Sequence, residues 1–474
     1  MPQLLNYLKQ TLPIDLIQKT RLLCRRKLLQ LFRQQDFYQS QLVVESSGSS
    51  GSSGFKQPKL NTSALKTPTL KTPTPQASSP KAPSPKASTL KTLEFSHAES
   101  IHISAPFCLD AVPAAIQQRI GTFEMARPYV YEVDNARLIG DRATGFSRNG
   151  QLITETAVPS FYGLEQSTST RALLKNAFLQ KLSTTSPLSS ANSITAINEA
   201  FSLVNPWSHN YFHWLIDCLP RLEGSEHYQA QRQSQTNNQT PHSSNQNPSI
   251  IIPQHLSQWQ ADSLRLLGYL PDNCIRWNGK GATVNRLIVS SFRRTSLSVL
   301  SPAACQWLKN RIISAIQNEQ TQAKSTPAIS SSYFSSSFSS ASLSPNVVIS
   351  RRKATGRRLI NEDEVMQLLA PVGFVAYTLE EMTFAEQVRL FAQAKTVISP
   401  HGAGLVNMIF STNLRVIELF GSPINPIFFT LAKALKFEYA CIPCQTISKK
   451  YNTKRNDILV DISKLKNAIE NYLH

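Results

Sequence analysis

From Asn346 to the C-terminus, short β-branched runs alternate with amphipathic stretches of helical period. Asn346–Ser350, Phe374–Tyr377, Thr396–Ser399, Arg415–Phe420, Glu438–Ile442 and Asp457–Ile462 read as strands. Asn361 with Glu364, and Thr383 with Glu386, have the spacing of capping boxes ahead of helices. Asn425-Pro426 opens a further helix running through Lys436, with proline in its first turn, and Lys464–Leu473 reads as a terminal helix. Runs that are apolar throughout and alternate with helices belong to a parallel sheet covered on both faces, so this part is expected to be a doubly wound α/β domain with its strands in one sheet.

The same alternation is looser upstream. Ser249–Pro253 and Val284–Ser290 read as strands, and Leu256–Leu267 and Ala303–Ile316 as helices. Asn210–Leu222 should be a helix that Pro220 bends or ends. Tyr129–Thr156 suggests short strands and hairpins, with Asn149-Gly150 as a turn, and folded sequence is expected from near Ile101. A second parallel sheet with helices on both faces follows from this pattern.

Three tracts cannot bury enough apolar surface to offset the entropy of ordering them. Residues 46–96 collapse into Ser, Gly, Pro, Thr and Lys, while Gln229–Asn247 and Thr321–Ser344 are Gln/Asn/Ser-rich and Ser-rich. The first reads as a disordered linker and the other two as inserted loops. Ahead of the linker, residues 14–37 read as a basic amphipathic helix, either one that lies on an anionic membrane surface or docks on a partner, or a marginal helix before the linker. Much of the formal charge of +19 lies in the first hundred residues, and no nucleic-acid signature accompanies it, so no nucleic-acid partner is expected. Dispersed cysteines fit reduced thiols, and Cys441-Ile442-Pro443-Cys444 reads as structural despite its redox-type spacing. With no secretory signal or spanning run in view, the expected location is cytoplasmic, or peripheral at the inner face of a membrane.

Ligands of an open parallel sheet bind beyond the carboxyl ends of its strands. Arg351 and Arg352 follow the strand at Asn346; Pro400, His401, Gly402, Ala403 and Gly404 follow the one at Thr396; Glu418 lies near the end of the next. Guanidinium groups and a glycine turn entering a helix near Leu405 would hold a diphosphate, and the carboxylate would hold ribose hydroxyls. Glu418 reads equally as a salt-bridge partner, and Arg357 and Arg358 as a solvated turn.

Ile349-Ser350-Arg351, the Arg357/Arg358…Asn361-Glu362 stretch, Glu386-Gln387 and Pro400-His401-Gly402-Ala403-Gly404-Leu405-Val406-Asn407 resemble glycosyltransferase family 61. Upstream, Asn210-Tyr211-Phe212-His213-Trp214-Leu215-Ile216-Asp217, with Pro220-Arg221, is similar to the family's other hallmark. The family includes protein O-GlcNAc transferases and plant xylan arabinosyl- and xylosyltransferases. The resemblance implies a GT-B-like fold, two Rossmann-like domains facing a cleft: an acceptor domain over 97–320, a Ser-rich join over 321–345 and a nucleotide-sugar domain over 346–474. It implies inverting transfer from a nucleotide sugar, UDP-linked, to a glycan, lipid-linked glycan or protein; the alternative is a catalytically silent sugar-nucleotide or glycan-binding protein. Asp217 or His213, four apart on one helix, would supply the base, with His401 also at the reaction; Arg351, Arg357, Gly402, Ala403, Gly404 and Glu418 would bind the donor. The alternative for His213 and Asp217 is a pair that merely secures helix packing. Neither a cofactor nor an essential metal is expected. The family's eukaryotic members work behind an N-terminal anchor, whereas this chain offers a basic helix and a linker, which favours a polysaccharide or lipid-linked acceptor.

Overall fold

The computed structural model describes residues 92–157, 195–236, 247–295, 297–325, 343–447 and 456–473. The amphipathic segment 14–37, nearly all of the 46–96 linker and the middles of the two inserted tracts lie outside them. The chain is a mixed α/β protein with two principal sheets. Among the described residues no helix is long and apolar enough to cross a membrane.

The first half holds β1 (Thr92–Glu94), β2 (Glu99–Ile103), β3 (Gly121–Met125), β4 (Tyr129–Ile139), β5 (Thr144–Phe146), β6 (Thr195–Ser202), β7 (Ser249–Pro253), β8 (Ile275–Trp277) and β9 (Ala282–Ser290). One sheet runs in the order β1-β4-β9-β6-β7-β8, with β5 beside β4. Strands β9, β6, β7 and β8 are parallel, but β4 pairs antiparallel with β9, β1 and β5. The expected all-parallel sheet is therefore corrected to a mixed one. A tight turn, with Gly140 and Ala143 in left-handed conformations, joins β4 to β5, and a hairpin of that length makes antiparallel neighbours. Folding also starts before Ile101, inside the stretch assigned to the linker: β1 pairs with β4 and Phe95 is buried in the core.

The second sheet comprises β10 (Asn346–Ile349), β11 (Phe374–Tyr377), β12 (Thr396–Pro400), β13 (Arg415–Phe420) and β14 (Glu438–Pro443), all parallel, in the order β11-β10-β12-β13-β14. The expected sixth strand does not join it. Instead β15 (Gln445–Ile447) pairs antiparallel with β16 (Asp457–Leu459) as a separate ribbon. Asn361 makes no capping box either: its amide bonds Val460 through both polar atoms and donates to Glu364, clipping the ribbon's exit to the helix Glu362–Leu369. Thr383 and Glu386 do form the reciprocal box.

A continuous core runs between the sheets, from Phe201, Ile252 and Ile288 to Val397, Val416 and Tyr439. Two smaller cores cover their outer faces. The halves also interlock. Phe107 bridges in parallel to Ala440, adding the 104–109 segment to the edge of the second sheet, and β2 packs on the helix Ile427–Ala434. The Ser-rich tract is helical at its start: the helix beginning at Pro302 reaches Ser325 and packs against both Gln258–Leu266 and the 3₁₀ stretch Ala403–Phe410.

Candidate active site

Both sheets contain a point where the connections diverge to opposite sides, and there the loops leave a crevice beyond the strand ends. In the second sheet this point lies between β10 and β12, so Arg351 and His401 emerge side by side. In the first sheet it lies between β6 and β9; the chain after β6 leads to His213, and the loop after β9 carries Arg294 and Ser298. The two crevices open on one cavity of about 690 Å³, lined from one side by Asn210, Tyr211, His213, Trp259 and Arg294 and from the other by Arg351, Arg357, His401, Ala403 and Gly404. Arg294, Arg351, Lys353 and Arg357 line it against a single carboxylate, Glu380, so the cavity suits an anion.

Asn210 places His213, because its side chain accepts from the His213 amide at 3.3 Å and starts a helix over Tyr211–His213. Pro220 neither ends nor breaks this segment. The helix widens to a π turn at Trp214–Cys218, tightens to 3₁₀ at Leu219–Arg221 and continues from Leu222 to Thr236, so the missing proline N–H falls where the ladder is already reset. The Trp214 indole donates to Ser263 at 2.9 Å and anchors the wide turn.

Asp217 does not reach the cavity. It is 2% exposed, behind His213, whose Nδ1 donates to its Oδ2 at 2.6 Å. Its Oδ1 lies 3.0 Å from Arg294 Nε. Burial alone would raise the Asp217 carboxyl, but Arg294, His213 and Arg221 together hold it below the ordinary carboxylate range. An ionised acceptor at Nδ1 fixes the tautomer, leaving the His213 Nε2 lone pair to the cavity side.

The same device recurs across the cavity. His401 Nδ1 lies 2.5 Å from Glu418 Oε1, and the Tyr439 hydroxyl donates to Glu418 Oε2 at 2.6 Å. Glu418 is wholly buried with both oxygens engaged, so the expected ribose contact is corrected: it stands behind His401 and offers nothing to a ligand. Gly402 is also buried, beneath Arg351; a Cβ there would come within 2.3 Å of the guanidinium. Arg351 donates from Nε to Arg357 O and from Nη2 to Gly356 O, while Arg357, in the left-handed region at φ 56°, donates to His401 O. These bonds tie the Arg351–Arg357 loop to the glycine turn. Arg352 and Arg358 belong elsewhere, pairing with Glu362 and Asp457. The helical stretch after the turn is 3₁₀ and begins at Ala403, ahead of Leu405.

Sequence reasoning passed over Arg294 and Trp259. Arg294 was findable, since it follows the Val284–Ser290 strand and the carboxyl-end rule applies there equally. Trp259 gave no signal, because an aromatic residue on an amphipathic helix reads as core.

Two α/β sheets thus meet at a basic cavity beside their divergence points, an arrangement suited to an anionic ligand. Residues 211–417 match the family described as Glycosyltransferase 61. Over 97 residues it is 34% identical to human protein O-linked-mannose beta-1,4-N-acetylglucosaminyltransferase 2, covering 20% of this chain and 17% of that protein. The mouse protein of the same name matches over the same length with the same identity, and that of Xenopus laevis at 34% over 87 residues, 18% of this chain and 15% of that one. The matched stretch thus spans less than a fifth of the curated relatives' length.

Proposed function

We propose that this chain is an inverting glycosyltransferase that moves a sugar from a UDP-linked donor to a glycan or lipid-linked glycan. The observation that carries the reading is the pair of histidines, one from each sheet, each held at Nδ1 by a buried carboxylate and each lining the same basic cavity. The family match and the names of the relatives support glycosyl transfer. The two facing sheets support a GT-B-like layout, the second one holding the donor.

In this mechanism Arg351, Arg357 and the N–H groups of the Gly402–Gly404 turn receive the diphosphate, with no essential metal. His213 Nε2 takes the proton of the acceptor hydroxyl as its oxygen bonds to the anomeric carbon from the face opposite the leaving group. The anomeric C–O bond breaks and its electron pair leaves with the nucleoside diphosphate, where the cations and His401 stabilise it. Asp217 and Glu418 are positioning residues. The acceptor would enter on the side lined by the first sheet's residues, His213 and Trp259.

The test is a panel of nucleotide sugars on the full chain, read first as a thermal shift and then as donor consumption. A binding donor raises the midpoint by mass action. His213→Ala is expected to keep the shift and lose consumption. A shift without consumption in the unmodified chain returns the catalytically silent binding protein; neither shift nor consumption with any donor overturns the proposal.

A further inference from the structure

Behind Glu418, on the same face of the second sheet, lies a nucleophilic pair that the mechanism does not use. Cys441 is the register partner of Glu418 in β14 and is buried. Its sequence neighbour in redox-type spacing, Cys444, is no partner for it. Side chains three apart on an extended strand point to opposite faces; Cys441 accordingly packs in the core between the sheets and Cys444 against the outer one.

The partner comes from the other end of the chain. Phe107 N donates to Tyr439 O at 2.8 Å and Cys441 N to Phe107 O at 3.1 Å, so Phe107 stands opposite Ala440 and Cys108 opposite Cys441. Adjacent strands lie about 4.8 Å apart, within the roughly 4.4–6.8 Å between Cα atoms that a disulfide spans. Both side chains lie on the inner face, where Cys108 packs half-buried against the core containing Cys441. Cys441 is fully within the core while Cys108 is only half-buried, so the two thiols differ in access to solvent. That difference suits Cys108 as the thiol a small oxidant reaches first and Cys441 as the one that resolves it.

We propose that Cys108 and Cys441 form an oxidisable cross-linking site, closed by a peroxide, that fastens the 104–109 segment to the edge of the donor-side sheet. The Cys108 thiolate attacks one peroxide oxygen, giving a sulfenic acid and hydroxide. The Cys441 thiol then attacks the Cys108 sulfur, the S–S bond forms, and the sulfenic oxygen leaves as water with the Cys441 proton. Two thiols and one hydrogen peroxide thus yield one disulfide and two waters. The cross-link joins β14 to the segment preceding β3 directly beside the carboxylate that holds His401.

The full chain is treated with a few equivalents of hydrogen peroxide at neutral pH, alkylated, and mapped without reduction by mass spectrometry. The expected product is one intramolecular link between the Cys108 and Cys441 peptides, reversed by dithiothreitol. Cys108→Ser, at the half-buried position, abolishes it, and Cys444→Ser leaves it intact. A link containing Cys444, a link between two chains, or Cys108 carried on to sulfinic acid with Cys441 still free overturns the assignment. Each of these outcomes is read without any glycosyl transfer.

Discussion

Asp217 lies one helical turn beyond His213 and accepts its Nδ1 proton at 2.6 Å, while the opposite carboxylate oxygen rests 3.0 Å from Arg294 Nε. One buried anion therefore joins the helix that follows β6 to the loop that follows β9. It fixes the imidazole's tautomer and answers a guanidinium that is itself almost fully buried. Among the described residues Arg294 Nη2 has no hydrogen-bond partner, so this charge depends heavily on Asp217.

Asp217→Asn should therefore cost stability before it costs chemistry. Breaking one side of a buried ion pair is expected to destabilise by about 3–5 kcal/mol. The pH dependence follows from the depressed carboxyl. A group with a lowered folded-state pKa stabilises fully above its unfolded value, about 3.9, and loses that contribution as pH falls through the folded value. Urea midpoints from pH 7 to pH 3 should fall more steeply below pH 4 for the unmodified chain than for Asp217→Asn. Parallel curves would remove Asp217 from the ion pair.

Glu418→Gln separates a positioning role from a ribose contact. A residue that bound ribose would, when changed, weaken nucleotide affinity and leave His401 alone. Behind His401, the change should instead lower turnover and couple to His401→Ala. Residues acting as a unit show interaction energies of about 0.5–3 kcal/mol. A double-mutant cycle on turnover measures the coupling, and strictly additive losses with a raised donor KM would restore the ribose assignment.

What the sequence disclosed about this site divides along a physical line. Strand ends are local, so the rule about carboxyl ends located Arg351, His401 and Gly404 at the cavity from chain order alone. Whether a carboxylate one turn or one strand away faces ligand or interior depends on what packs over it. For Asp217 and Glu418 the sequence left both readings open, ligand-facing or paired within the protein, and the burial that decides between them comes from Arg294 and Tyr439, which reach them from distant segments. Strands and hairpins over Tyr129–Thr156 were legible, but the pairing of β4 with β9 and the 104–109 crossing were hidden for the same reason: both arise from pairing with strands far along the chain.

Gly402→Ala tests how closely Arg351 lies over the turn. The added Cβ would meet Nη1 at 2.3 Å, and because that atom ends a flexible side chain the guanidinium would move rather than the backbone. Gly402 is in ordinary extended backbone at φ −173°, so alanine adds no conformational strain. The fold should keep its thermal midpoint within a few degrees, while affinity for the nucleotide falls roughly tenfold, the loss of one charge-assisted contact of about 1.5–3 kcal/mol in part. Calorimetric titration with UDP decides it; unchanged affinity would detach Arg351 from the diphosphate.

Tyr211 ties the proposed base to the donor side. Its hydroxyl lies 2.7 Å from Asn407 Oδ1 and 3.2 Å from Gln387 Oε1, Asn407 donates to that same Gln387 oxygen at 2.9 Å, and Gln387 in turn donates to Leu379 O and Met382 O. Burial raises the Tyr211 phenol far above its usual range, which keeps it a neutral donor. Tyr211→Phe would retain the edge contacts to Trp259 and Phe384 and strip only the polar link. Leaving a buried acceptor short costs about 1–3 kcal/mol. Since Tyr211 stands two residues before His213 on the same short helix, the loss should also let that histidine drift from the donor. Turnover is expected to fall tenfold or more with UDP affinity held, because the proposed diphosphate contacts, Arg351 and Arg357, come from the second sheet. Stability and turnover both unchanged would show that the Tyr211 hydroxyl carries no part of the alignment between the two sheets.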